Sequence, residues 1–95
     1  MNKFELNIYG ENDEIVKTYK TSVIRWKLFT DAIEINDTLN GKSLKAQIES
    51  VSEFIKSVFV GLTDEELACA DAFDIMNVFK QIVIKAQNIN GSKNA

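Results

Sequence analysis

The chain has 95 residues, of which 45% are hydrophobic and 26% charged, and 11 basic against 14 acidic side chains leave a net charge of −3. This length predicts one small domain, and the apolar content is too high for a disordered chain. The acidic balance, with basic residues scattered among the acids, argues against nucleic acid as the main ligand, because phosphate recognition needs clustered lysine and arginine.

The first predicted element is a β-hairpin. Apolar residues at positions 4, 6 and 8 (Phe, Leu and Ile) alternate with Glu5, Asn7 and Tyr9. This period of two is typical of a half-buried strand. Gly10 to Asp13 form a turn cluster, and residues 14–20 are rich in β-branched and aromatic side chains, so a second strand follows. Because a lone hairpin is marginal in water, we expect other elements to pack on its apolar face.

A helix from about Val23 to Leu39 follows, with Thr21 or Ser22 as its N-cap. At roughly 100° per residue its apolar side chains form two arcs on nearly opposite sides. The first arc contains Ile24, Leu28, Ala32, Ile35 and Leu39, and the second contains Val23, Trp26, Phe29 and Ile33. Either the rest of the domain covers both arcs, or the second arc is an exposed partner-binding surface built from residue types enriched at interfaces.

Three further helices complete the predicted domain. Ser43 is a candidate N-cap for a helix that reaches about Val60, with an apolar stripe of Leu44, Ile48, Val51, Ile55, Val58 and Phe59. Thr63 and Glu66 match a capping box, which predicts a short helix from about Asp64 to Ala70. Asp71 or Asp74 caps a final helix to roughly Gln87, with a stripe of Ile75, Val78, Phe79, Ile82, Val83 and Ala86. This order predicts a single α+β domain over residues 1–88 and a flexible C-terminal tail over residues 89–95.

Catalytic and metal chemistry find little support in the sequence. The chain has no histidine, the commonest general base and metal ligand. Cys69 is best interpreted as a small core residue on a helix. The five acids between residues 64 and 74 are most simply helix caps, although an acidic docking patch for a basic partner stays open and their spacing fits no EF-hand. We therefore expect a protein that is not an enzyme, with no catalytic residue, no cofactor and no metal.

The same residues bear on location. The single cysteine cannot form an internal disulfide, which suits a reducing cytoplasm. No apolar run approaches the ~20 residues that span a bilayer, and the N-terminal residues lack the apolar region of a signal peptide. We expect a cytoplasmic protein without a membrane partner.

Two segments in this order resemble a known family. The first segment, Thr21 to Ile35, ends in Ala-Ile-Glu-Ile. The second segment, Glu53 to Leu67, reads Phe-Ile-Lys-Ser-Val-Phe-Val-Gly-Leu-Thr-Asp-Glu-Glu-Leu over residues 54–67 and is followed by the helix from Asp71 to Lys85. Together with the hairpin, they resemble the small tail assembly chaperones that long-tailed phages and prophages of Gram-positive bacteria encode. The resemblance covers about Phe4 to Lys85.

The resemblance implies a function as well as a fold. Such a chaperone binds the long, helical tape measure protein and keeps it soluble during tail assembly, in the cytoplasm of the bacterial host and not in the mature virion. A helix-in-groove contact would serve this purpose, and the surplus apolar arc also predicts a homo-oligomer. The alternatives are a small phage or bacterial protein-binding regulator and a minor structural tail protein.

Overall fold

A two-stranded hairpin followed by four α-helices makes up residues 4–91, the part of the chain that this computed structural model describes. The strands are β1 (Phe4–Tyr9) and β2 (Ile15–Thr21). The helices are α1 (Trp26–Thr38), α2 (Leu44–Val58), α3 (Asp64–Ala68) and α4 (Ala72–Gly91), with a short 3₁₀ turn at Leu39–Gly41 between α1 and α2. The predicted α+β class is confirmed. None of the helices between residues 4 and 91 is both long and apolar enough to cross a lipid bilayer.

The hairpin forms where the alternation predicted it. β1 pairs antiparallel with β2, with Leu6 opposite Tyr19 and a bulge between Ile8 and Tyr9. In the turn, Asp13 adopts a φ of 63°, which aspartate tolerates better than most residues because its short side chain bonds locally. The inner face of β1, formed by Phe4, Leu6 and Ile8, is buried as predicted.

Helix α4 is the element that joins the rest of the domain. It packs against α1, α2 and β1, and its apolar stripe lies in the core: Val78, Phe79, Ile82, Val83 and Ala86 are all buried. Phe79 meets Phe54 of α2 edge to face, with ring centroids 5.6 Å apart. The predicted stripe of this helix is confirmed, and the helix extends past the predicted end near Gln87 to Gly91. Residues 92–95 of the predicted tail lie outside the described residues.

Helix α1 begins later than predicted. Arg25, and neither Thr21 nor Ser22, occupies the N-cap position, and its side chain makes no capping bond. Thr21 instead closes a local turn, because its hydroxyl donates to the Val23 carbonyl at 3.0 Å and accepts from the Val23 amide at 3.3 Å. Such local bonds compete with helix formation, so Val23 and Ile24 lie outside the helix.

Helix α2 begins directly after its predicted N-cap, but the core covers only its C-terminal part. The Ser43 hydroxyl accepts from the Ala46 amide at 3.2 Å, which confirms this N-cap. Leu44 and Ile48, on the predicted core stripe, are 77% and 67% exposed, whereas the stripe from Val51 onward is buried. Periodicity predicts which side of a helix faces the core, but not how far along the helix the core extends.

The segment around α3 follows its predicted caps. Thr63 and Glu66 form both halves of the capping box, and the Asp71 carboxylate accepts from the Asp74 amide at 3.1 Å at the start of α4. The prediction that Cys69 is a core residue on a helix is wrong: Cys69 is exposed. Helix α3 ends at Ala68, two residues before the predicted end, so that Cys69 occupies the C-cap position.

A carboxylate joins β2 to α3. Glu66 accepts from the Tyr19 hydroxyl at 2.5 Å, from the Thr63 amide at 3.1 Å and from the Lys17 ammonium at 3.1 Å. The hydrogen bond from Tyr19, then that from Thr63, then that from Lys17 lower the pKa of Glu66 from an ordinary 4.5 to about 2. We call these four residues the Glu66 junction.

The Glu66 junction makes the fold sensitive to acid. Because the folded-state pKa of Glu66 is below its ordinary value, its ionised form stabilises the fold above about pH 4.5, and this stabilisation is lost as the pH falls towards 2. In urea titrations from neutral pH down to pH 2.5, we expect Glu66→Gln to be less stable than the parent at pH 7 and the difference to shrink in acid. Glu65→Gln, in the same turn and exposed, is the matched control. An unchanged pH dependence in Glu66→Gln would contradict this account.

Candidate binding groove

An open apolar groove runs along α1, with its floor on α4. Its volume is about 510 Å³, and it is lined by Trp26, Phe29, Thr30, Ile33, Glu34, Asp37, Thr38 and Ala86. We call it the α1 groove. Seven of its eight lining residues belong to α1, and Ala86 is the contribution of α4.

The groove exists because neither apolar arc of α1 is covered along its whole length: Ile24, Ile35 and Leu39 of the first arc are only partly buried. Leu28 and Ala32, from the first arc, are buried. On the second arc, Phe29 and Ile33 are half-buried and pack against the edge of the core. Trp26 is 70% exposed and forms a T-shaped pair with Phe29, with ring centroids 6.0 Å apart. The second arc is therefore divided: Phe29 and Ile33 pack against the core, whereas Trp26 faces solvent, and partner binding by this arc stays a prediction.

The structure brings three of the four predicted partner-binding residues together. Trp26, Phe29 and Ile33 line the α1 groove, whereas Val23 lies before α1 and lines a separate depression with Val60. A helical wheel describes positions only within a helix, so it misplaced Val23 once α1 began at Trp26.

Sequence reasoning missed the rest of the lining. Glu34 follows Thr30 by four residues, and Asp37 follows Ile33 by four, so both acids lie on the groove side of α1. That spacing was the available signal for the acidic rim. The sequence contained no comparable signal for Ala86, because the pattern within one helix does not show which residue of α4 packs beside α1.

The charges of α1 oppose its own macrodipole. Arg25 is at the N-cap and Lys27 in the first turn, whereas the last turn has no basic residue and the first turn no acidic one. Helix N-termini carry a partial positive charge and favour acids, so this arrangement weakens the isolated helix. Charges that go against the helix dipole in this way are a departure from local stability rules, and such departures are common at functional sites.

Three of the five acids between residues 64 and 74 have structural roles. Asp64 pairs with Lys56 at 2.6 Å, Glu66 forms its junction with the hairpin, and Asp71 caps α4. Within residues 4–91, no three His, Cys, Asp or Glu side chains are grouped so that they could hold a metal ion. The α1 groove stays the candidate for recognition, and its chemistry suits apolar side chains on an element with a polar outer face.

Comparisons of this chain with protein-family models, with curated proteins and with solved structures found no match. The function proposed below therefore rests on the groove and on the resemblance in the sequence.

The missing cap of α1 gives a direct test of its opposed charges. The backbone at Arg25 is extended, with φ −66° and ψ 150°, which suits an N-cap aspartate. We expect Arg25→Asp to raise the free energy of unfolding by about 1 kcal/mol, because its carboxylate can accept from the first free amides of α1. Urea denaturation measures the change. Arg25→Gln removes the charge without restoring a strong cap and is the matched control; equal stability of the two variants would contradict the missing-cap interpretation.

Proposed function

We propose that this protein is a tail assembly chaperone of a phage or prophage. In this proposal it binds an amphipathic helix of the tape measure protein and keeps that protein soluble until the tail tube forms around it. The observation that carries the proposal is the α1 groove, open and apolar, with the exposed Trp26 at one end. The resemblance in residues 21–35 and 54–67 supports the choice of client.

The lining of the groove extends along α1 from Trp26 to Thr38. Helix α1 has 13 residues and is therefore about 20 Å long, enough to contact three to four turns of a client helix. Apolar client residues three and four positions apart would contact Phe29, Ile33 and Ala86, as in other helix-in-groove complexes. Trp26 would provide a large aromatic anchor, the residue type most often found at the energetic centre of interfaces.

Charge also supports a client of this kind. Glu34 and Asp37 form an acidic rim, which favours a client helix with lysine or arginine beside its apolar stripe. The net charge of −3 would keep neighbouring chaperone–client complexes apart by like-charge repulsion. The proposal locates the protein in the host cytoplasm during assembly and not in the mature virion.

Co-expression tests the proposal directly. The full chain is produced together with a phage tape measure protein, and the soluble fraction of that client is measured. Trp26→Glu should keep its circular dichroism spectrum, since Trp26 is largely exposed, and should lose client binding by about thirtyfold or more, which corresponds to about 2 kcal/mol.

The matched control is Phe73→Glu. Phe73 is an exposed aromatic residue of α4, at 84%, and does not line the α1 groove. This variant should solubilise the client as well as the parent does. A parent chain that leaves the client insoluble would contradict the function, and a folded Trp26→Glu variant that still solubilises it would exclude the α1 groove as the site.

A further inference from the structure

The charges beside the α1 groove are complementary to a second copy of the same helix turned end for end. Lys27 and Glu34 are seven residues apart, about 10.5 Å along α1, on the same side of the helix. We propose that two copies of this chain pair through antiparallel α1 helices, so that Lys27 of each copy meets Glu34 of the other. This pairing goes beyond client binding and does not depend on it.

The groove side of α1, on which Ile33 is half-buried, has the spacing of a helix-pairing seam. Four residues of α1 are spaced at intervals of four, three and four: Trp26, Thr30, Ile33 and Asp37. This is the spacing of the a and d positions of a heptad, which point towards the partner helix. Lys27 and Glu34 each follow a seam residue directly and so occupy equivalent flanking positions. In an antiparallel pair, equivalent flanking positions face each other, and the two-fold axis produces the Lys27–Glu34 contact twice.

Pairing also reverses the unfavourable electrostatics of the single helix. An antiparallel arrangement places the N-terminus of each α1 beside the C-terminus of the other. Lys27, which opposes its own helix N-terminus, then lies beside the negative end of the second helix and near its Asp37. The bond from Lys27 to Asp31, at 3.0 Å and with Lys27 82% exposed, is a surface pair of the kind that contributes little, so Lys27 stays available.

The expected dimer is weak. A standard interface buries about 800 Å² on each partner, more than one pair of 13-residue helices provides. In this register Trp26 would lie opposite the C-terminal end of the partner's α1, near its Ile33 and Asp37, and would supply the main apolar contact. Since the charge pairs lie at the rim, salt should weaken the dimer. A dimer of this strength covers the groove in the free chain and still permits a client helix to displace the second copy.

Sedimentation velocity on the full chain tests the pairing. The parent should shift from monomer to dimer across a concentration series, and raising the salt from about 0.05 M to about 0.5 M should favour the monomer. Lys27→Glu alone and Glu34→Lys alone should each weaken pairing about tenfold, because each places like charges together twice. An equimolar mixture of the two variants should restore a heterodimer, and the double exchange Lys27→Glu/Glu34→Lys should restore a homodimer.

The controls separate this surface from general charge effects. Lys45→Glu and Glu49→Lys make the same exchanges at exposed positions of α2 and should leave pairing unchanged, and circular dichroism checks the fold of every variant. A parent that stays monomeric throughout the series would overturn the inference. So would single α1 variants that pair as the parent does, or a mixture and a double exchange that both fail to restore pairing.

Discussion

The arrangement of the domain depends on the apolar stripe of α4, because β1, α1 and α2 all pack against this one helix. A single helix has a limited buried face, and here three neighbours share it. Helix α1 also packs against α2, but its two apolar arcs present more surface than α4 and α2 cover. The α1 groove is a consequence of this incomplete cover, since Ala86 lines its base and Trp26 stays 70% exposed.

Helix α1 is held in place by packing and not by its own local interactions. It lacks a side-chain N-cap and its charges oppose its dipole, so the burial of Leu28 and Ala32 must supply its stability. A helix that the core holds by one face has its other face free for recognition. The exposed ring of Trp26 lies on this free side, whereas Arg25 and Lys27 line the separate depression that contains Val23 and Val60. The proposed client and the proposed second copy use the same physical features of α1.

The hairpin is attached through one strand and one carboxylate. The inner face of β1 packs on α4, and the Tyr9 amide donates to the Cys69 carbonyl at 3.1 Å, which ties β1 to the connection between α3 and α4. Most of β2 is exposed, and Glu66 holds it through Tyr19 and Lys17. Because that carboxylate must stay ionised to accept these bonds, the attachment of β2 is the part of the fold with a specific dependence on acid.

The sequence by itself determined the class of the fold and most of its elements. Local spacing predicts features that repeat or interact within a few residues. These are the alternation along β1, the caps at Ser43 and Thr63, and the apolar stripe of α4. Only the tertiary structure decided the start of α1, the exposure of Leu44 and Ile48, and the division of the second arc between core and solvent. Burial depends on residues distant in sequence: Ala86 lies 57 positions after Phe29 in the chain and beside it in the groove, and no periodicity within α1 contains that contact.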